Sequence, residues 1–89
     1  MEFEWDSRKA ESNERKHGVP FAFAARVFLD ERRLERADRS EDYDEDRWIT
    51  LGLVDEFEIV VAYTMRDEVI RIISARKADR YEREEYWNR

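Results

Sequence analysis

Glu68-Val69-Ile70-Arg71-Ile72-Ile73-Ser74-Ala75-Arg76-Lys77 is the stretch on which the reading of this chain turns. Val69, Ile70, Ile72, Ile73 and Ala75 give it the density of a strand buried on both faces, where apolar residues run almost continuously instead of alternating. Arg71, Ser74 and Arg76 interrupt that run. A guanidinium does not belong in a buried strand without a partner, because an unpaired charge is costly to bury. Side chains alternate along a strand, so Arg71 and Arg76 would point to opposite faces of a regular one. They reach a common surface only if a bulge intervenes or if Arg76 lies past the end of the strand.

On its N-terminal side the stretch is preceded by two further strand-like runs. Arg47 to Leu53 alternates Trp48, Thr50 and Gly52 with Ile49, Leu51 and Leu53. A tight connection at Val54-Asp55-Glu56 leads into Phe57 to Thr64, and Met65-Arg66-Asp67 turns the chain back. Runs at hairpin spacing predict an antiparallel meander. Leu34 to Ala37 reads as a short edge strand, and Ala78 to Trp87 as a C-terminal helix carrying Tyr81, Tyr86 and Trp87.

The first part of the chain has a different rhythm. Phe3 and Trp5 alternate with Glu2 and Glu4, as in a short strand with one buried face. Asp6 stands where an N-cap accepts backbone N–H groups, and the spacing predicts a helix over 7–17. Its end is marked by Gly18 for a left-handed position, Val19 for the apolar contact beyond it, and Pro20. Ala10 is this helix's sole apolar residue, so either it is loosely docked and solvated or its polar face has a task. Pro20 to Leu29 predicts a second helix with Phe21, Ala24, Ala25 and Phe28 at core spacing, and with Phe23 and Val27 off that stripe. The order implies one α+β domain over residues 1–89: a small antiparallel sheet of about four strands, two N-terminal helices and one C-terminal helix.

Composition narrows the chemistry. Charged residues make up 45% of the chain, yet hydrophobic residues at 42% and three Trp argue for a folded core. The chain has no cysteine and one histidine, which excludes disulfides, thiolate metal sites and multi-histidine metal sites within one chain. Asp42, Asp44 and Asp46 lack the glycine and the closing glutamate of a calcium loop, so the acidic run from Asp38 to Asp46 reads as solvated surface. The acidic start is unlike a signal peptide and the longest apolar runs are a few residues, so no membrane contact and a cytoplasmic location are expected. A net charge of -6 disfavours a nucleic-acid binder, but Arg66 to Arg83 is locally rich in Arg and Lys.

Several stretches together resemble the BrnT-type toxins of bacterial toxin–antitoxin pairs. They are Trp5-Asp6-x-x-Lys9 with Asn13 and Lys16-His17-Gly18-Val19-x-Phe21; Val27-Phe28-Leu29-Asp30; Glu45-x-Arg47-Trp48-Ile49-x-Leu51-Gly52; Tyr63-Thr64-x-Arg66 followed by Val69 to Ala78; and Glu82-Arg83-x-x-Tyr86. The set spans nearly the whole chain in order and spacing. The resemblance implies a RelE-like fold and an endoribonuclease that cleaves RNA without metal or other cofactor and so inhibits translation and growth. It also implies a BrnA-like antitoxin of ribbon-helix-helix type that neutralises the toxin, and DNA met only through that antitoxin. The chain departs from the family pattern at Pro20, where Ser or Thr is common, and at Ala22 and Phe23, where acidic residues are.

RNA cleavage without metal uses the ribose 2′-OH against the adjacent phosphate, and positioned cations supply the charge stabilisation. With the resemblance in hand, Arg71 and Arg76 are candidates for holding the phosphate and its transition state, because a guanidinium fork matches two phosphate oxygens. Ser74 can hydrogen-bond a phosphate oxygen. His17 is the candidate for proton transfer, since imidazole exchanges protons near neutral pH. Lys9, Lys16, Arg66 and Lys77 are candidates for steering the RNA backbone. The competing reading keeps Arg71 and Arg76 as structural partners of Glu45, Glu58 or Glu82, with His17 capping a helix end. In that case the chain is an inactive toxin-fold binding module or co-repressor acting through its protein partner.

Overall fold

A computed structural model describes residues 1–42 and 44–89; Tyr43, within the acidic run, lies outside the described residues. One sheet of five strands runs in the order β1-β5-β4-β3-β2, built from β1 (Glu2–Glu4), β2 (Leu34–Ala37), β3 (Trp48–Val54), β4 (Phe57–Arg66) and β5 (Val69–Lys77). The meander expected from the alternation is present, each of its neighbours antiparallel. The class is α+β, but the sheet is mixed. β1 adds a fifth strand that pairs parallel to β5, with Phe3 opposite Ile70 and Glu4 opposite Arg71. Phe3 stacks there on Phe28 with centroids 5.6 Å apart, so ring burial draws the short strand to this edge.

β5 is not regular. Tyr63 pairs with Ile72 and Ala62 pairs with Ser74, which leaves Ile73 as an extra residue in the ladder. Such a bulge resets the alternation of the strand beyond it. Ile70, Ile72 and Ala75 consequently all face one buried cluster, although their spacing could not put them together on an unbroken strand.

Two layers cover the sheet. On one face α1 (Ser7–His17), α2 (Phe21–Ala24) and the 3₁₀ turn Ala25–Leu29 enclose the larger core, with Ile59, Val61, Tyr63 and Ile72 beneath them. Asp6 caps α1 by accepting from Arg8 and Lys9 N–H, and Gly18 ends it at φ 72°. The expected continuous helix from Pro20 changes pitch instead. Tightening into a 3₁₀ turn gives a repeat of three, which aligns Phe21, Ala24 and Val27 and buries Val27 completely. Phe23 stays half-buried against Phe57, under Arg26.

On the other face lies α3 (Arg80–Trp87), starting two residues later than the pattern suggests because Asp79 takes the cap. Tyr86 packs with Leu51, Val60 and Ala78 in a second, smaller core. Its hydroxyl donates to Asp30, whose carboxylate also accepts the Leu53 N–H at 2.8 Å. Gly52 makes room for that crossing: a Cβ there would sit 3.0 Å from the Asp30 Oδ2 and from Val27 and Arg33 side-chain atoms.

The polar face of α1 has a task. β1 stops opposite Arg71, so β5 loses its strand partner on that edge before Ala75. Asn13 replaces it. Its amide donates to the Ala75 carbonyl at 2.8 Å and to the Val19 carbonyl at 3.3 Å, and its Oδ1 accepts the Ala75 N–H at 3.2 Å. One side chain thus satisfies both backbone groups that the strand presents at that edge.

Candidate functional site

Arg66, Arg71, Ser74 and Arg76 share the face of the sheet on which α3 packs. Directly paired residues on neighbouring strands lie on one side. Arg76 pairs with Val60, Ser74 with Ala62 and Arg71 with Thr64. Val60 belongs to the core under α3, and Arg66 follows two residues after Thr64. The bulge at Ile73 creates this row, because without it Arg71 and Arg76 would face opposite layers. At about 3.3 Å per residue their backbones lie roughly 15 Å apart, with Ser74 between them.

Each guanidinium in the row engages a carboxylate from a different part of the chain. Arg66 donates to Glu45 at 3.0 and 3.2 Å, Arg71 to Glu4 at 2.9 Å, and Arg76 to Glu82 in a two-bonded fork at 2.7 and 2.9 Å. Glu82 does double duty, since it also accepts the Asp79 N–H at the start of α3. Its hydrogen bonds from Arg76 hold its carboxyl below the usual range, against the opposing effect of burial, and raise the Arg76 guanidinium in turn. Arg66 lowers Glu45 in the same way. Of the expected partners, Glu82 joins Arg76, Glu45 joins Arg66 rather than the strand β5, and Glu58 accepts from the Trp87 indole at 2.8 Å instead.

A carboxylate offers a guanidinium the same planar pair of anionic oxygens that a phosphate does. The partly exposed pairs of Arg66 and Arg71 contribute only about 0–1 kcal/mol and yield readily to a phosphate, whereas the two-bonded Arg76–Glu82 fork is the firmest of the three. The half-buried Ser74 hydroxyl has no hydrogen-bond partner among the described residues. The arrangement therefore offers several anion-binding forks and one free hydroxyl on one surface.

The other candidates lie elsewhere. Ala10 packs against the larger core, which puts α1 in the layer across the sheet from the arginine row. His17 closes that helix, half-buried, in a last turn shared with Arg15 and Lys16. Lys9 and Lys16 are exposed on α1, and the Lys77 ammonium stands 5.1 Å from the centre of the Phe57 ring. Among the described residues no group of three His, Asp or Glu side chains converges as metal ligands, and no helix is long and apolar enough to cross a membrane.

Sequence reasoning missed Glu4, Arg36 and the structural use of Asn13. Arg36 stands in β2 opposite Ile49, on the arginine face, exposed and outside any ion pair among the described residues. Alternation with Leu34 could have placed it there; the parallel pairing that brings Glu4 to Arg71 left no local signal.

No curated protein sequence matches the chain. The family model described as "Ribonuclease toxin, BrnT, of type II toxin-antitoxin system" matches residues 5–82, so it covers every element from α1 to the first turn of α3. With that span, the chain belongs to the BrnT family of ribonuclease toxins.

Proposed function

We propose that this chain is an active endoribonuclease that cleaves RNA without metal, with the Arg71, Ser74 and Arg76 face as its phosphate site. The observation that carries the reading is the bulge at Ile73, which gathers these three side chains on one accessible surface. RNA displaces Glu4 and Glu82 from the two forks. The 2′-oxygen bonds to phosphorus as its proton leaves, and the arginines stabilise the negative charge of the phosphorane while Ser74 hydrogen-bonds a non-bridging oxygen. Collapse breaks the bond to the 5′-oxygen, which takes up a proton and leaves a 2′,3′-cyclic phosphate. Arg66 continues the row and steers the adjoining backbone, while Lys9, Lys16 and Lys77 attract RNA from across the sheet. Type II pairing supplies a protein antitoxin; we take it to be of ribbon-helix-helix type, masking this face and alone touching DNA.

The test is cleavage of RNA in chelator by purified protein, with growth arrest on expression without the antitoxin. Arg71→Ala and Arg76→Ala should each lower the rate about 10²–10³-fold, as expected for removal of one charge-stabilising donor. Rates unchanged in both variants would remove the site from this face. His17→Ala isolates the imidazole: it lies in the other layer, so an unchanged rate leaves proton transfer to water, and a loss of cleavage in a folded variant restores His17 to the mechanism. The second reading, an inactive binding module, draws on the engagement of Arg66, Arg71 and Arg76 by carboxylates and on the net charge of -6. Tight antitoxin binding with intact RNA at every protein concentration would favour it.

A further inference from the structure

Beside the arginine row the same face carries a cleft between β2, β3 and α3, of about 220 Å³. Its floor is aliphatic: Leu34, Leu51 and Val60 form one row across three strands, and Ile49 lies next to it. Its rim is charged, with Arg36 on one side and Glu82 and Glu85 of α3 on the other. Two of these rim groups make no direct polar contact, although the Arg36 charge acts on Glu82 from a distance. Glu85 and Arg36 are exposed and form no ion pair or side-chain hydrogen bond among the described residues. Glu82 has one side on the cleft and the other on Arg76, so the cleft opens directly next to the proposed phosphate site.

An occupant must match three features at once. It needs flat apolar faces for the floor, hydrogen-bond donors at an edge for Glu85, and an anionic group attached nearby for Arg36 and Arg76. A nucleotide has all three. The space is smaller than the clefts of about 300 Å³ or more that hold drug-sized ligands, which suits a single ring system. The rim also discriminates among bases. An ionised carboxylate only accepts, through two oxygens side by side. Guanine presents two adjacent donors, N1–H and the 2-amino group, on the edge that single-stranded RNA exposes. Adenine and cytosine set a ring-nitrogen acceptor beside their amino group, and uracil flanks its one N–H with carbonyls, so each turns an acceptor lone pair toward one of the Glu85 oxygens.

We propose that this cleft is a nucleobase subsite for guanine, with Glu85 reading its two donors and Arg36 holding the phosphate on the side away from Arg76. The assignment rests on the ribonuclease reading, because it makes the cleft and the arginine row one RNA-binding surface. Binding is measured without cleavage: protein carrying ¹³C-labelled Ile and Leu methyls is titrated with the 3′-monophosphates of guanosine, adenosine, cytidine and uridine, and with inorganic phosphate. Guanosine monophosphate should shift the Ile49 and Leu51 methyls at roughly tenfold lower concentration than the other nucleotides, the scale of one two-bonded base contact. Inorganic phosphate should leave them unmoved. Glu85→Gln, a substitution at an exposed position, should erase the preference while the nucleotides still bind.

Methyls that respond to no nucleotide would overturn the subsite and leave the cleft to a protein partner. Equal responses to all four bases, in wild type and Glu85→Gln alike, would overturn the base assignment. Because the readout needs no turnover, a protein that binds guanosine monophosphate but cleaves nothing fails the ribonuclease reading alone. One that cleaves RNA with silent methyls fails the subsite alone.

Discussion

At the scale of single residues, Asn13 shows how a polar side chain can be as deeply structural as an isoleucine. It is buried, and its amide replaces a strand at the open edge of β5. Asn13→Asp keeps the size and the acceptor but loses the donor, and sets a charge against the Ala75 and Val19 carbonyls. It should lower stability by about 1–3 kcal/mol, the cost of leaving a buried polar group unsatisfied, read as a fall in the urea midpoint at constant slope. An unchanged midpoint would mean that the edge is satisfied in some other way. The sequence showed that α1 lacks an apolar stripe, which posed the question. It could not show the answer, because the partner lies 62 residues away and nothing local marks the edge of β5. Arg71 and Arg76 were legible as anomalies in an apolar run for the opposite reason: a charge in such a strand is visible without any partner. What they face depended on Glu4 and Glu82, one of them brought in by a parallel pairing that periodicity does not encode.

At the scale of elements, the meander and both termini of α1 followed from alternation and capping chemistry, which are local. Two features depend on pitch and register. The helix tightening went unread, whereas a bulge was one of the two conditions under which Arg71 and Arg76 share a surface, and only its place at Ile73 was not legible. The 3₁₀ tightening after Ala24 re-aimed Val27 into the core, and the bulge at Ile73 re-aimed Ser74 and Arg76. The turn joining β4 to β5 offers a test of backbone strain. Asp67 at φ 51° and Glu68 at φ 69° both occupy the left-handed region, as in the mirror-image turns that suit the twist of a hairpin. Asparagine and glycine are the favoured occupants of such turns, and Glu68 has a Cβ that crowds its carbonyl there. Glu68→Gly should therefore raise stability, by about 0.5–1 kcal/mol, without touching the arginine row. A calorimetric Tm that falls would show that the Glu68 side chain has a compensating role.

At the scale of the whole molecule, ion pairs and carboxylate hydrogen bonds fasten the peripheral pieces to the sheet. Glu82 holds α3 to β5, and Asp30 holds the far end of α3 through Tyr86. Burial opposes the charge on Asp30, but Tyr86, Leu53 and Arg32 donate enough hydrogen bonds to keep its carboxyl below the usual range. Glu82 is depressed mainly by Arg76, from an ordinary value of 4.5. A group depressed on folding contributes stability that is fully present above its unfolded value and is lost as pH falls through its folded one. Unfolding free energy should accordingly stay level down to about pH 4.5 and decline below it. In Glu82→Gln, which can still accept at the cap, that decline should be shallower; urea titrations at pH 7, 4.5 and 3 compare the two. Identical acid slopes would remove Glu82 from the linkage.

The pairing of the first strand with the last has a consequence for timing. β5 closes against β1 and α1 across 67 and 62 residues, and it is the last strand to be synthesised. Until β5 emerges from the ribosome, the growing chain has neither the edge that Asn13 is shaped to meet nor the strand that bears two of the three arginines. The cations and the surface that presents them arrive together. On the phosphate site proposed above, a nascent chain could not hold RNA at that face until its final strand had left the ribosome.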